Sequence, residues 1–182
     1  MTRRFCIGLL LWVSALSAQN LRPLTILHSN DLHAHLLPED GRGGFARLAT
    51  AVARERAGCS ACLYLSAGDM VQGTPVSTLF HGAPIYEIAN LMGFDAATLG
   101  NHEFDYGWRR AREFARMAKF PIVSANIVGS SGESITGKPY IIRTVGGLRV
   151  AIIGAILGDL SGNSVTPEAV GDRKSTRLNS SH

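Results

Sequence analysis

Cysteine is scarce in this chain, at three in 182 residues. Cys6 lies in an apolar N-terminal stretch, which leaves Cys59 and Cys62 for the folded part. A single C-x-x-C cannot build a four-thiolate zinc site, and no further ligands stand near it. In an exported chain the pair fits a short-loop disulfide, and it fits two buried free thiols as well. Other signatures are missing too. Gly41 to Gly44 lacks the G-K-[ST] ending of a phosphate-binding loop and reads as a turn. His102-Glu103 has Tyr106 where a zinc protease would carry its second histidine. Between His102 and His182 there is no histidine at all. Repeats and low-complexity linkers are also absent.

The two ends of the chain set the charge balance. Arg3 and Arg4, the apolar run from Phe5 to Val13, and the small residues Ala15, Ser17 and Ala18 have the layout of a secretory signal. The run is too short to cross a bilayer, so residues 1–18 are expected to be a cleaved signal peptide. At the other end, residues 172–182 (Asp172 to His182) show no apolar periodicity. They resemble the in-frame translation of a short-read sequencing adapter, and the natural reading frame is expected to continue past Gly171. The formal charge is +4 and the pI about 9.3. Setting aside Arg3 and Arg4 in the leader, and Arg173, Lys174, Arg177 and Asp172 in the tail, leaves acid and base evenly matched. The high pI is therefore no argument for a nucleic-acid polymer or a membrane surface as partner. Arg109, Arg110, Arg112, Arg116 and Lys119 read mostly as a solvated helix face.

Residues 21–171 are of single-domain size and can bury a core. Strand and helix patterns alternate along them. Strands are predicted at Leu24–Ser29, Cys62–Ala67, Ala96–Leu99 and Pro121–Ala125. Phe45, Leu48, Ala49, Val52 and Ala53 give a helix with one apolar face, stopped by Gly58. Thr74-Pro75 opens a second helical region, with Thr74 as N-cap and Pro75 at the first helical position, running on through Ile85 to Met92. Trp108, Ala111, Phe114, Ala115 and Ala118 mark another helix, with Trp108 and Phe114 expected in the core. Tyr140–Val145 and Leu148–Ile153 flank Gly146-Gly147, a hairpin signal. The fold class is α/β, with mostly parallel strands, helices on the sheet faces and a hairpin near the C-terminal end.

Three predicted strands end in polar groups of metal-ligand type. The first runs into Asp31-Leu32-His33, the second into Gly68-Asp69, and the third into Gly100-Asn101-His102-Glu103-Phe104-Asp105. The carboxyl edge of an open α/β sheet is where ligands bind. In an extended segment, side chains two apart share a face, so Asp31 and His33 can meet one cation. Asp69 can bridge two cations, and Asn101 offers an amide oxygen. Nitrogen and oxygen donors without thiolate suit Zn, Mn, Fe or Co better than Ca. His28 and His35 are read as packing or pocket-lining groups, and His81 as a cap or surface group.

Those three blocks resemble the calcineurin-like metallophosphatase superfamily. The flanks His28 to His33, Gly68 to Pro75, Gly100 to Gly107 and Ser124 to Ile127 resemble its 5′-nucleotidase/UDP-sugar hydrolase branch. The likeness covers about Leu24 to Gly158, the N-terminal part of such a catalytic domain. It implies the first half of a helix-flanked two-sheet (αββα) sandwich and two divalent metal ions. Asp31 and His33 would bind the first ion, Asp69 would bridge, and Asn101 would bind the second. His102, oriented by Asp105, would not ligate but would assist the leaving oxygen. The implied activity is hydrolysis of 5′-nucleotides or related phosphate esters by attack of metal-bound hydroxide, in the periplasm or outside the cell. No stable membrane insertion is expected once the signal is cleaved. The family's remaining metal ligands are later histidines that this chain lacks, so the fragment is expected to bind metal weakly and to have little activity. The alternatives are an inactive or non-catalytic binding relic and a thiosulfate-ester hydrolase of the same fold.

Overall fold

A computed structural model describes residues 21–129, 133–156 and 170–172. The expected signal peptide and the tail beyond residue 172 lie outside the described residues. The centre is a parallel three-stranded sheet in the order β1 (Thr25–Ser29), β2 (Cys62–Ser66), β3 (Ala96–Ala97). Its register runs Thr25↔Cys62 to Ser29↔Ser66, then Leu65↔Ala96 and Ser66↔Ala97. Alternation along β2 sorts the two faces of the sheet. Tyr64 turns toward the larger core, whereas Leu63 and Leu65 join a smaller cluster with Ala96, Val123 and Ile152.

The larger core lies between sheet and helices. Helix α1 (Phe45–Ala57) buries Phe45 and Val52 and ends at Gly58, as its periodicity predicted. The second helical region is broken in two, α2 (Pro75–Leu79) and α3 (Ala83–Ala89). The break falls at His81 and Gly82, which have positive φ of 46° and 76°. A Cβ on Gly82 would stand 2.6 Å from the Phe114 ring, so the chain turns there on the one residue that fits. Thr74 precedes Pro75 in extended conformation, but its hydroxyl does not cap the helix. It donates instead to the Ala34 carbonyl at 3.1 Å. Helix α4 (Trp108–Met117) packs Ala111 and Phe114 inward, with Phe114 stacked on Tyr86 at 4.5 Å. Trp108 sits half-buried at the edge of the same cluster. Arg110 departs from the solvated-face reading: it donates to the carbonyls of His81 and Phe80 at 2.7 and 3.1 Å and ties α4 to the turn between α2 and α3.

The predicted strand at Pro121–Ala125 is reduced to a single parallel bridge, Ala97↔Ile122. Its backbone is satisfied piecemeal: Val123 donates to Ala97, Ser124 to Lys138 and Ala125 to Gly154. One segment shared among three neighbours makes no continuous ladder. Beyond it come β4 (Ile127–Gly129), β5 (Tyr140–Val145), β6 (Leu148–Ile153) and β7 (Val170–Asp172). β5 and β6 form the expected hairpin, turning on Gly146 and Gly147 with φ of 55° and 75°. β4 pairs antiparallel with β7, which places Asp172, the first residue of the expected tail, opposite Ile127. Cys59 and Cys62 form a disulfide across the turn from α1 into β2. Among the described residues no helix is long and apolar enough to cross a membrane.

Candidate metal centre

All three loops that carry the candidate ligands leave the same edge of the parallel sheet, and hydrogen bonds stitch them together. After β1 the chain does not stay extended. Asp31, His33 and Ala34 have φ of 54°, 43° and 57°, left-handed values that residues with a Cβ seldom adopt. In that shape the N–H groups of Asp31, His33 and Ala34 reach the carbonyls of Gly68, Asp69 and Met70, at 3.1, 3.0 and 2.8 Å. The expected extended Asp31-x-His33 is thus corrected to a tight turn. The two side chains still approach, with His33 Nε2 4.0 Å from Asp31 Oδ1. Asn30 supplies a further side-chain hydrogen bond to the Asp31 carboxylate.

The second loop lies against the third. A Cβ on Gly68 would fall 2.1 Å from the Gly100 nitrogen, and one on Gly100 would fall 2.1 Å from Asp69 Oδ1. Both positions therefore require glycine for the loops to touch. The contact aims the Asp69 carboxylate: its Oδ1 accepts the His102 backbone N–H at 2.9 Å. His102 opens a short 3-10 turn, His102–Phe104, which brings Asp105 beneath the imidazole. Asp105 Oδ2 lies 2.7 Å from His102 Nδ1, which leaves Nε2 for the rim. That hydrogen bond is the largest influence raising the His102 pKa above its ordinary value; burial opposes it, and the charges of Asp105, Asp69 and Glu103 add to it.

One ligand atom each from His33, Asp69 and His102 lies within 4.8 Å of the other two. The His33 and His102 rings meet edge-on, 4.9 Å between centroids. All three residues are half-buried. The nitrogen and oxygen donors of His33 and Asp69, without thiolate, fit a borderline divalent cation, with the His102 ring beside them. Asp31 is more exposed and stands beside His33, outside the three-residue cluster. Asn101, half-buried, lies between Gly100 and His102, and its carbonyl accepts the Phe104 N–H at 3.1 Å. The other histidines among the described residues lie apart from the cluster. His28 is exposed on β1, His35 pairs with Glu39 at 3.0 Å, and His81 stacks on Tyr106.

Glu103 was legible only as a false protease motif. It is completely buried, and its carboxylate accepts the N–H groups of Gly100, Asp69 and Met70 at 2.5, 2.9 and 2.8 Å. Burial pushes its pKa up, those N–H donors pull it down, and the neighbouring Asp69 raises it again. The available signal was spacing: an acidic residue three positions after a turn glycine can reach back to that glycine's N–H, as in a capping box. The fully buried Tyr86 phenol lies close by. Its pKa is well above normal because of burial first, then Glu103 and Asp69.

Comparison with known proteins agrees with this geometry. The profile of the calcineurin-like phosphoesterase family matches residues 24–174. The chain is 41% identical over 170 residues to the 5′-nucleotidase of Bos taurus, covering 84% of the chain and 29% of that protein. It is 40% identical over 145 residues to a probable 5′-nucleotidase of Treponema pallidum, covering 72% of the chain and 24% of that protein. The solved 5′-nucleotidase precursor of Thermus thermophilus superposes with a TM-score of 0.71 at 35% identity, over 82% of this chain and 31% of that one. The chain thus spans between about a quarter and three tenths of the length of these curated relatives.

Proposed function

The chain belongs to the calcineurin-like phosphoesterase family, and on that premise we propose that it is the N-terminal part of an exported phosphoesterase acting on 5′-nucleotides or related phosphate esters. The observation that carries this reading is the meeting of His33, Asp69 and His102 within 4.8 Å at the carboxyl edge of the sheet. The 5′-nucleotidases among the relatives support the substrate class.

In this reading Asp31 and His33 would hold one divalent cation, Asp69 would serve both that cation and a second, and Asn101 would contribute to the second site. When bound, such cations neutralise phosphate charge, activate water and align the groups for in-line displacement. The chain's own contribution is orientation and a proton. His102 points Nε2 toward the rim, and Asp105 fixes its tautomer and favours its protonated form. We place His102 beside the phosphate, not on a cation, with Asp105 holding its Nδ1 side so that the ring can serve the leaving oxygen. The Cys59–Cys62 disulfide supports an oxidising compartment, in line with the leader-like residues 1–18.

The second cation receives only Asp69 and Asn101 from this chain, so the chain alone is expected to turn over little substrate. The test is phosphate release from 5′-AMP by the reading frame extended past Gly171, with Mn²⁺ and after chelation. Release that needs the metal, and falls about a hundredfold or more in His102→Asn, is the expected result. Full activity of that variant, or no metal-dependent release from any phosphate ester, contradicts the reading.

A further inference from the structure

Glu103 is the only fully buried acidic side chain among the described residues. Its partners are backbone N–H groups from two different loops. Oε2 accepts from Asp69 and Gly100, and Oε1 accepts from Met70, with the Val71 N–H at 3.5 Å beyond. Asp69 and the segment 100–102 are the two stretches whose contact aims the bridging carboxylate. Asp69 also has a φ of 53°, a conformation that a residue with a Cβ holds only when its surroundings impose it.

We propose that Glu103 is a positioning residue for the metal centre: its buried carboxylate clamps the Asp69 loop to the turn at residues 100–102 through the N–H groups of Gly100, Asp69 and Met70. The inference rests on the metal-site reading above and adds to it a residue that touches neither cation nor substrate. Every contact asks for an acceptor, and only a carboxylate offers acceptors on both oxygens. A glutamine must turn its amide nitrogen toward either Met70 or the Asp69 and Gly100 pair, so one side of the clamp opens whichever way the amide lies. Losing a group outside the ligand shell that orients a ligand typically costs about 10- to 100-fold in metal affinity.

The test compares the wild-type chain with Glu103→Gln, using Mn²⁺ alone as probe and counting free ion by electron paramagnetic resonance. Affinity is scored per folded molecule. Val52→Ala, a core change in α1 outside the loops, serves as the control for lost stability. A positioning role predicts that Glu103→Gln weakens Mn²⁺ binding about tenfold or more while Val52→Ala leaves it unchanged. In metal-free protein, hydrogen exchange should speed up at Met70, or at Asp69 and Gly100, in Glu103→Gln only. If Glu103→Gln does not fold, Glu103→Asp replaces it. That variant keeps the charge and both acceptors but withdraws them by one methylene, and it should also weaken binding relative to the control. Equal Mn²⁺ affinity in wild type and the Glu103 variant overturns the positioning role and leaves the metal site standing. No Mn²⁺ uptake by the wild-type chain overturns the metal site and this inference with it.

Discussion

The carboxyl edge of the parallel sheet and the β5–β6 hairpin are built in opposite ways. The hairpin is regular: six consecutive pairs run from Tyr140↔Ile153 to Val145↔Leu148, and at its turn Gly147 faces only the end of one flexible side chain. Only Ile152 of its twelve strand residues is buried. At the edge, almost nothing is regular. Asp31, His33, Ala34 and Asp69 all have positive φ, two glycines touch across loops, and a charged side chain lies fully inside. The hairpin follows local propensity, whereas the edge departs from it and is held by long-range hydrogen bonds. Such a departure is stable only where the surroundings over-determine it, which is the usual condition of a functional site.

Four substitutions probe that contrast, and they should fall in a definite order. Gly68→Ala is the most damaging, because its Cβ would meet the Gly100 backbone at 2.1 Å with no flexible atom to yield. A loss of about 3 kcal/mol or more is expected in urea unfolding. Gly147→Ala, also at positive φ, would meet only the end of the Arg22 side chain at 2.9 Å. Its cost should be about 1 kcal/mol, the penalty for a left-handed residue. Equal losses at the two glycines would erase the distinction between edge and hairpin.

The third probe is pH. The hydrogen bond that His102 donates to Asp105 raises the His102 pKa above its ordinary 6.5, against burial and with help from nearby carboxylates. A histidine whose folded pKa is raised adds stability in full below its unfolded pKa, and that stability fades as pH rises through the folded value. Asp105→Asn should therefore lower the His102 titration midpoint in proton NMR. It should also destabilise the protein most below about pH 6.5, with the gap to wild type closing at higher pH. A gap that widens with pH would contradict the pairing. The smallest effect belongs to Ile142→Thr on the half-exposed hairpin face. A change within about 0.5 kcal/mol is expected there from thermal unfolding.

What could be read from the residues alone follows the same division. Helix α1, the hairpin and β1 to β3 follow from periodicity and punctuation, because local pattern and final structure agree there. The candidate ligands Asp69 and Asn101 stand out because glycines precede them at strand ends. The break at His81 and Gly82 was not, since it answers to the Phe114 ring, a distant neighbour. The dissolution of the strand at Pro121–Ala125 reflects competition among Ala97, Lys138 and Gly154 for its backbone. The left-handed turn at Asp31 and His33 depends on carbonyls of the loop after β2, and so does its correction of the extended arrangement expected there. The setting of Glu103 is not legible in the residues, because a glutamate beside a histidine carries no sign that its partners will be backbone amides of another loop.

The central claim is that loops far apart in sequence converge on a divalent cation at this one edge. Anomalous diffraction from crystals of the chain soaked in Mn²⁺ tests it most directly. The account predicts a peak held by His33 and Asp69, with Asp31 beside it and the His102 ring adjacent but unbound. A peak at the exposed His35–Glu39 pair instead, or none at the edge, would contradict it.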